Sequence, residues 1–125
     1  MKKMMLTFLS VCSLLGVLLS GPVALAEKLT VVPNERVCMV TNMVFPRTQI
    51  PVQHGGKTYY GCCENCKKTL SEDAVSRKAI DPVSGKNVDK ATAVIAARED
   101  GSVIYFENQK TFQSFQKKNL KAVSK

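Results

Sequence analysis

The sequence predicts a small α+β protein made of two tandem β-hairpin–helix modules packed as one compact unit. Two observations carry that expectation. The chain repeats its own frame: Tyr60-Gly-Cys-Cys-Glu-Asn-Cys-Lys-Lys-Thr-Leu70 lies over Tyr105-Phe-Glu-Asn-Gln-Lys-Thr-Phe-Gln-Ser-Phe115, and Cys38-Met-Val-Thr-Asn42 lies over Asp81-Pro-Val-Ser-Gly85. Each copy also carries two short apolar runs around a glycine-containing turn, followed by a stretch with helical spacing.

Residues 1–26 read as an export signal, which leaves a mature chain of 99 residues from the 125. Lys2 and Lys3 give the basic start, an apolar run extends from Met4 to Leu19, Gly21-Pro22 breaks it, and Ala24-Leu-Ala26 offers a small-x-small cleavage site before Glu27. Cys12 is a poor lipidation site, because the apolar segment before it is very short and Val11 stands where a small residue is wanted. The run is short for a membrane span and ends in a processing signal, so the expected location is the periplasm or the extracellular medium, with no stable membrane insertion after cleavage. Ninety-nine residues suffice for one compact domain or two very small modules sharing a core.

The first module is expected over residues 27–75. Leu29 to Val32 is extended and stops at Pro33-Asn34, Cys38 opens a turn through Thr41-Asn42, and Pro46 and Pro51 interrupt Arg47 to Ile50 too much for a central strand. Val52 to His54 and Lys57 to Tyr60 flank Gly55-Gly56, a favoured two-residue hairpin turn. A short helix is expected from near Cys62 to about Asp73. Ser76-Arg-Lys78 reads as a linker. The second module is expected over residues 79–120: a turn at Asp81 to Gly85, strands over Ala91 to Arg98 and Val103 to Phe106, and a helix capped by Asn108 and running to about Leu120. Phe112, Phe115 and Leu120 share one face of it and read as core. Residues 121–125 form a basic tail.

Removing Lys2 and Lys3 from 18 basic residues leaves 16 against 10 acidic, a formal charge of +6. The basic residues are scattered apart from Lys117, Lys118, Lys121 and Lys125, which read as a solubilising face rather than a contact for anionic lipid. No surface of interleaved aromatic and basic residues points to nucleic acid. With a single histidine outside the thiols, no serine–histidine–acid arrangement and no phosphate-binding glycine loop, the chain is not expected to be an enzyme.

Four of the five cysteines, Cys38, Cys62, Cys63 and Cys66, fall in the first module, and none falls in the second. In an oxidising compartment four neighbouring thiols allow two disulfides in three pairings, but their clustering suits convergence on an ion better than a framework stapling distant loops. Cys62 and Cys66 are four apart and lean to one side of a helix, and Cys38 approaches from across the hairpin. Three thiolates suit Cu(I) in a trigonal plane, or Zn²⁺ where a fourth ligand closes a tetrahedron, one ion per chain. The fourth-ligand candidates are Cys63 and His54. Cys63 has three readings: fourth ligand, spare thiol for transfer or redox chemistry, and buried filler or disulfide partner. His54 at a hairpin tip reads more readily as an exposed turn residue. Met39 and Met43 read as packing rather than thioether ligands. Tyr59, Tyr60 and Tyr105 read as strand packing.

The first copy resembles the TRASH domain, a treble-clef-like module linked to heavy-metal sensing, trafficking and resistance. Cys38, Cys62 and Cys66 match its cysteine, some twenty residues, then Cys-x-x-x-Cys, and Lys57-Thr-Tyr-Tyr60 and Leu70 fit as well; the 23 residues between Cys38 and Cys62 are slightly long for it. The second copy is similar to the YHS domain, with Asp81-Pro-Val-Ser-Gly85 and Tyr105-Phe-Glu-Asn-Gln-Lys-Thr-Phe-Gln-Ser-Phe115 standing for Asp-Pro-Val-Cys-Gly and Tyr-Phe-Cys-Ser-x-x-Cys-x-x-x-Phe. Ser84, Glu107 and Thr111 replace its cysteines, so no soft-metal site is expected there, and Asp81 with Glu107 reads as a solvated pair rather than a hard-cation site. The resemblances span residues 36–117 and imply treble-clef or zinc-ribbon-like modules. They imply an exported soft-metal protein, copper first and zinc or mercury next, that buffers, senses or delivers the ion with a metal-donor or metal-acceptor protein. The alternatives are an interaction module with structural zinc and a disulfide-containing or thiol redox protein.

Overall fold

The computed structural model describes residues 26–124. The expected export signal up to residue 25, with Cys12, lies outside the described residues. The elements are β1 Thr30–Val31, β2 Val37–Cys38, β3 Met43–Val44, β4 Ile50–His54, β5 Lys57–Gly61, α1 Glu64–Glu72, β6 Lys78–Ile80, β7 Asn87–Asp89, β8 Val94–Ala97, β9 Val103–Phe106 and α2 Gln109–Val123, with 3-10 turns at Asn34–Arg36 and Val75–Arg77. This is a small α+β protein. One order recurs: a 3-10 turn, a two-stranded ribbon, a second hairpin and a helix. The first half runs β2–β3, β4–β5, α1, and the second runs β6–β7, β8–β9, α2.

Local chemistry explains the hairpins and caps. Gly55 and Gly56 have φ of 57° and 73°, as a tight turn between His54 and Lys57 requires. Asn108 caps α2 by accepting from the Thr111 amide at 3.0 Å. Cys63 does the same for α1, its Sγ accepting from the Cys66 amide at 3.4 Å. The two caps have nearly equal backbone angles, φ −154° and ψ 172° at Cys63 against −159° and 177° at Asn108.

The halves share a core. One apolar cluster joins Val37, Met39, Val52, Tyr59 and Leu70 of the first half to Val88, Ala93, Ile95 and Tyr105 of the second. β1 pairs antiparallel with β8, and a bridge links Met43 to Ser102. A second cluster, Leu29, Ala96, Phe106 and Phe112, seats α2 on its sheet, with Phe106 meeting Phe112 and Phe115 edge-on at 5.5 and 5.4 Å. Met39 is fully buried in the first cluster and packs as expected.

Three expectations need correction. Ser76 to Lys78 is no linker: Arg77 ends a 3-10 turn, is buried and donates from Nη1 to the Leu70 carbonyl at 2.6 Å, satisfying the C-terminal end of α1, and Lys78 starts β6. Leu120 is not core but 52% exposed, because α2 runs past the short strands it packs on. Asp81 is not solvated but fully buried. No described helix is long and apolar enough to cross a membrane.

Candidate metal centre

Three of the predicted ligands meet. The sulfurs of Cys38, Cys62 and Cys66 all lie within 4.8 Å of one another, with Cys62 Sγ 3.6 Å from Cys66 Sγ. An ion about 2.3 Å from each sulfur would separate them by about 3.8 Å in a tetrahedron and about 4.0 Å in a trigonal plane. The set therefore fits either soft-metal geometry. Cys38 and Cys66 are buried and Cys62 is half-buried, so the group opens to solvent on the Cys62 side.

Each sulfur is placed by a local device. Cys38 ends β2 and starts a tight turn in which the Asn42 amide donates to the Cys38 carbonyl at 2.8 Å, with Asn42 in the left-handed region at φ 55°. An asparagine tolerates that conformation better than most residues. Cys62 leaves β5 just after Gly61. A Cβ on Gly61 would sit 2.9 Å from Cys66 Cβ, so only glycine lets α1 come this close to the strand. Cys66 follows in the first turn of α1, facing back toward β5.

The thiols differ in acidity. Burial raises Cys38, but the Thr41 hydroxyl, the Thr41 and Val40 amides and the Cys62 thiol outweigh it and bring it down to about 7. Burial first, and then the sulfurs of Cys63, Cys62 and Cys38, push Cys66 up to about 12. Cys62 is raised chiefly by its hydrogen bond with Cys38. One sulfur, Cys38, is thus the ready thiolate, and its neighbours lend it their protons.

The fourth-ligand candidates lie elsewhere. Cys63 is exposed and outside the three-sulfur group, although its Sγ is 3.3 Å from Cys66 Sγ. His54 is at the opposite end of the β4–β5 hairpin, where it borders a surface recess with Lys57, Arg77 and Asp89. Five strand steps from Lys57 to Cys62 amount to about 17 Å. Met43 pairs with Cys38 across the β2–β3 ribbon, and its methyl lies 3.3 Å from where a Gly101 Cβ would stand.

The second half builds the same frame around a carboxylate. The Gly85 amide donates to the Asp81 carbonyl at 2.9 Å, with Gly85 at φ 69°, repeating the Cys38–Asn42 turn. Asp81 Oδ1 accepts from the Val83 and Ser84 amides at 2.7 and 3.1 Å, as Cys38 accepts from Val40 and Thr41. Its Oδ2 accepts from the Glu107 amide at 2.7 Å, and the Thr111 hydroxyl, which donates to the Asn108 carbonyl at 3.1 Å, also helps to lower the carboxyl. Glu107 and Thr111 stand where Cys62 and Cys66 stand in the first half. The Glu107 carboxylate itself faces solvent, 3.7 Å from Lys86 Nζ. A hydrogen bond thus joins in the second half two of the points, Asp81 and Glu107, whose counterparts Cys38 and Cys62 bring sulfurs together in the first.

No family model, curated protein or solved structure matches the chain.

A further residue was not legible in the sequence. Lys90 is buried, with Nζ donating to the Met39 carbonyl at 2.6 Å and to Asn42 Oδ1 at 2.9 Å, and it lies 5.1 Å from the Tyr105 ring centre. Tyr105 donates its hydroxyl to the same Asn42 oxygen at 3.0 Å. The second half therefore clamps the turn that presents Cys38. Only the overlay of the two turns hinted that Asn42 had a structural duty, and nothing pointed to Lys90.

Proposed function

We propose that this chain is an exported soft-metal-binding protein that takes one Cu(I) or Zn²⁺ on Cys38, Cys62 and Cys66 and buffers, senses or delivers it. The observation that carries this reading is the convergence of three sulfurs from two separated segments within 4.8 Å. Copper is the first choice, because three thiolates satisfy Cu(I) without a fourth ligand. The half-buried Cys62 supports exchange with a donor or acceptor protein, since an incoming ligand can reach the ion from that side. The resemblance of this module to the TRASH domain, and of its partner to a YHS domain without cysteines, agrees with metal handling and with a non-enzymatic role.

A second reading has its own support. In the second half, Asp81 ties its turn to the junction between β9 and α2 through the Glu107 amide, where the first half offers sulfurs, so an ion there has an evident structural use. That favours an interaction module with structural zinc.

Metal content, stoichiometry and free thiols of protein purified anaerobically from the exported compartment test both readings. Metal handling predicts one copper per chain, lost in Cys62→Ser with the circular dichroism spectrum unchanged. Tightly held zinc whose removal unfolds the protein would support the structural reading instead. An absence of metal alongside oxidised thiols would overturn both.

A further inference from the structure

Cys66 has sulfur neighbours on two sides. Cys38 and Cys62 form the metal group with it, while Cys63 Sγ approaches from the solvent side at 3.3 Å. Cys63 is the N-cap of α1 and Cys66 lies within the first turn, so the two thiols stand on one face with only Glu64 and Asn65 between them. Cys63 is exposed, whereas Cys66 is 7% exposed. An external reagent therefore meets Cys63 first.

We propose that Cys63 and Cys66 form a dithiol–disulfide couple that withdraws Cys66 from the metal group, so that an external disulfide discharges the ion. The Cys63 thiolate attacks one sulfur of RS–SR, forming Cys63–S–S–R and releasing RS⁻. The Cys66 thiolate then attacks the Cys63 sulfur, forming the Cys63–Cys66 bond and expelling the second RS⁻. The two cysteines lose two electrons and the external disulfide gains them; in the metal-free protein their two protons end on two RSH, and in the loaded protein, where Cys66 has already given up its proton, solvent protonates the second RS⁻. Zn²⁺ is left with Cys38 and Cys62, too few sulfurs to hold it against competing ligands, and Cu(I) falls from three sulfurs to two. Cys62 is a weaker partner for Cys66: it is half-buried and 3.6 Å away, and belongs to the metal group itself. The discharge step rests on the metal reading above, but the couple does not.

The test starts with reduced, metal-free protein equilibrated in glutathione–glutathione disulfide mixtures, followed by thiol counting and mass. Wild type is expected to lose two thiols with a mass decrease of one hydrogen pair, and Cys63→Ser to lose none over the same range. That variant should fold, because a serine oxygen caps the helix as the sulfur does. The couple is overturned if Cys63→Ser oxidises like wild type, or if wild type stops at a glutathione adduct on Cys63. Zn²⁺-loaded protein with a chromogenic chelator then tests discharge: glutathione disulfide should release zinc at least about tenfold faster from wild type than from Cys63→Ser. Equal rates overturn the discharge step. Protein that takes up no metal overturns the metal reading and the discharge that depends on it, while the thiol count still decides the couple.

Discussion

At Cys38 burial and hydrogen bonding pull in opposite directions, and the outcome sets how the site meets a metal. Burial disfavours a bare thiolate, yet the Thr41 hydroxyl and the Thr41 and Val40 amides hold one at about 7. Cys66 is pushed up to about 12 and Cys62 is raised as well, so both remain protonated while Cys38 is not. Binding an ion must displace those protons, so apparent affinity rises with pH. At about pH 8, zinc binding should release about two protons per ion, approaching about three well below pH 7, where Cys38 is protonated too. Calorimetry in buffers of different ionisation heat counts them directly. Release of fewer than one at about pH 8 would mean that the sulfurs do not share a single charge in this way.

Among the elements, the two turns Cys38–Asn42 and Asp81–Gly85 have one backbone geometry and two chemistries. Asp81 is fully buried, and burial works against its carboxylate, but the Glu107 amide, the Thr111 hydroxyl and the Val83 and Ser84 amides outweigh it and hold the carboxyl below its ordinary value of 3.8. Asp81→Asn would turn an amide group toward those donors and should cost about 2–3 kcal/mol at neutral pH. A carboxyl lowered by folding stabilises fully above its unfolded value and loses that contribution as pH falls through its folded value. The gap between wild type and Asp81→Asn in urea unfolding should therefore shrink below pH 3.8, and a gap independent of pH would contradict the charged acceptor. The sequence made the turns, the Gly55-Gly56 hairpin and the Asn108 cap legible, because each depends on residues close in the chain, and the clustering of thiols disclosed the three converging cysteines, although Cys62 precedes α1 and does not share its face with Cys66. It did not reveal β6 or the burial of Arg77, since a three-residue strand is too short for its alternation to be read and the Leu70 carbonyl that Arg77 meets belongs to another element. Asp81 could have been placed by its overlay on buried Cys38, but an aspartate in a polar turn reads as solvated unless its donors are known. Leu120 followed helical periodicity past the point where the sheet ends.

At the scale of the whole molecule, the half without cysteines completes the half that has them. The main core cluster draws on both, and β1 crosses to pair with β8. A buried polar link between them is Lys90, whose burial lowers its pKa while the charge on Cys38 offsets part of that. Its ammonium fixes the Met39 carbonyl and the Asn42 side chain, 51 and 48 residues away in the chain, which is why no local pattern disclosed it. A thiolate-bound soft ion carries net negative charge, and a buried cation that also holds the ligand-bearing turn favours that complex on both counts. Lys90→Met, which keeps the apolar stem and removes the charge and its donors, should weaken metal binding by about 10- to 100-fold, the range seen when an outer partner of a ligand is lost. It should also raise the Cys38 thiol somewhat above about 7, because the attraction between its thiolate and the Lys90 ammonium is lost while the hydrogen bonds from Thr41 and Val40 remain. Lys90→Gln keeps a donor for the Met39 carbonyl without the charge, so it should restore part of the folding stability but little of the thiol acidity. Chelator competition and thiolate absorbance against pH separate these effects. Wild-type affinity together with an unshifted Cys38 in Lys90→Met would reduce Lys90 to a strut between the halves, with no bearing on the sulfurs.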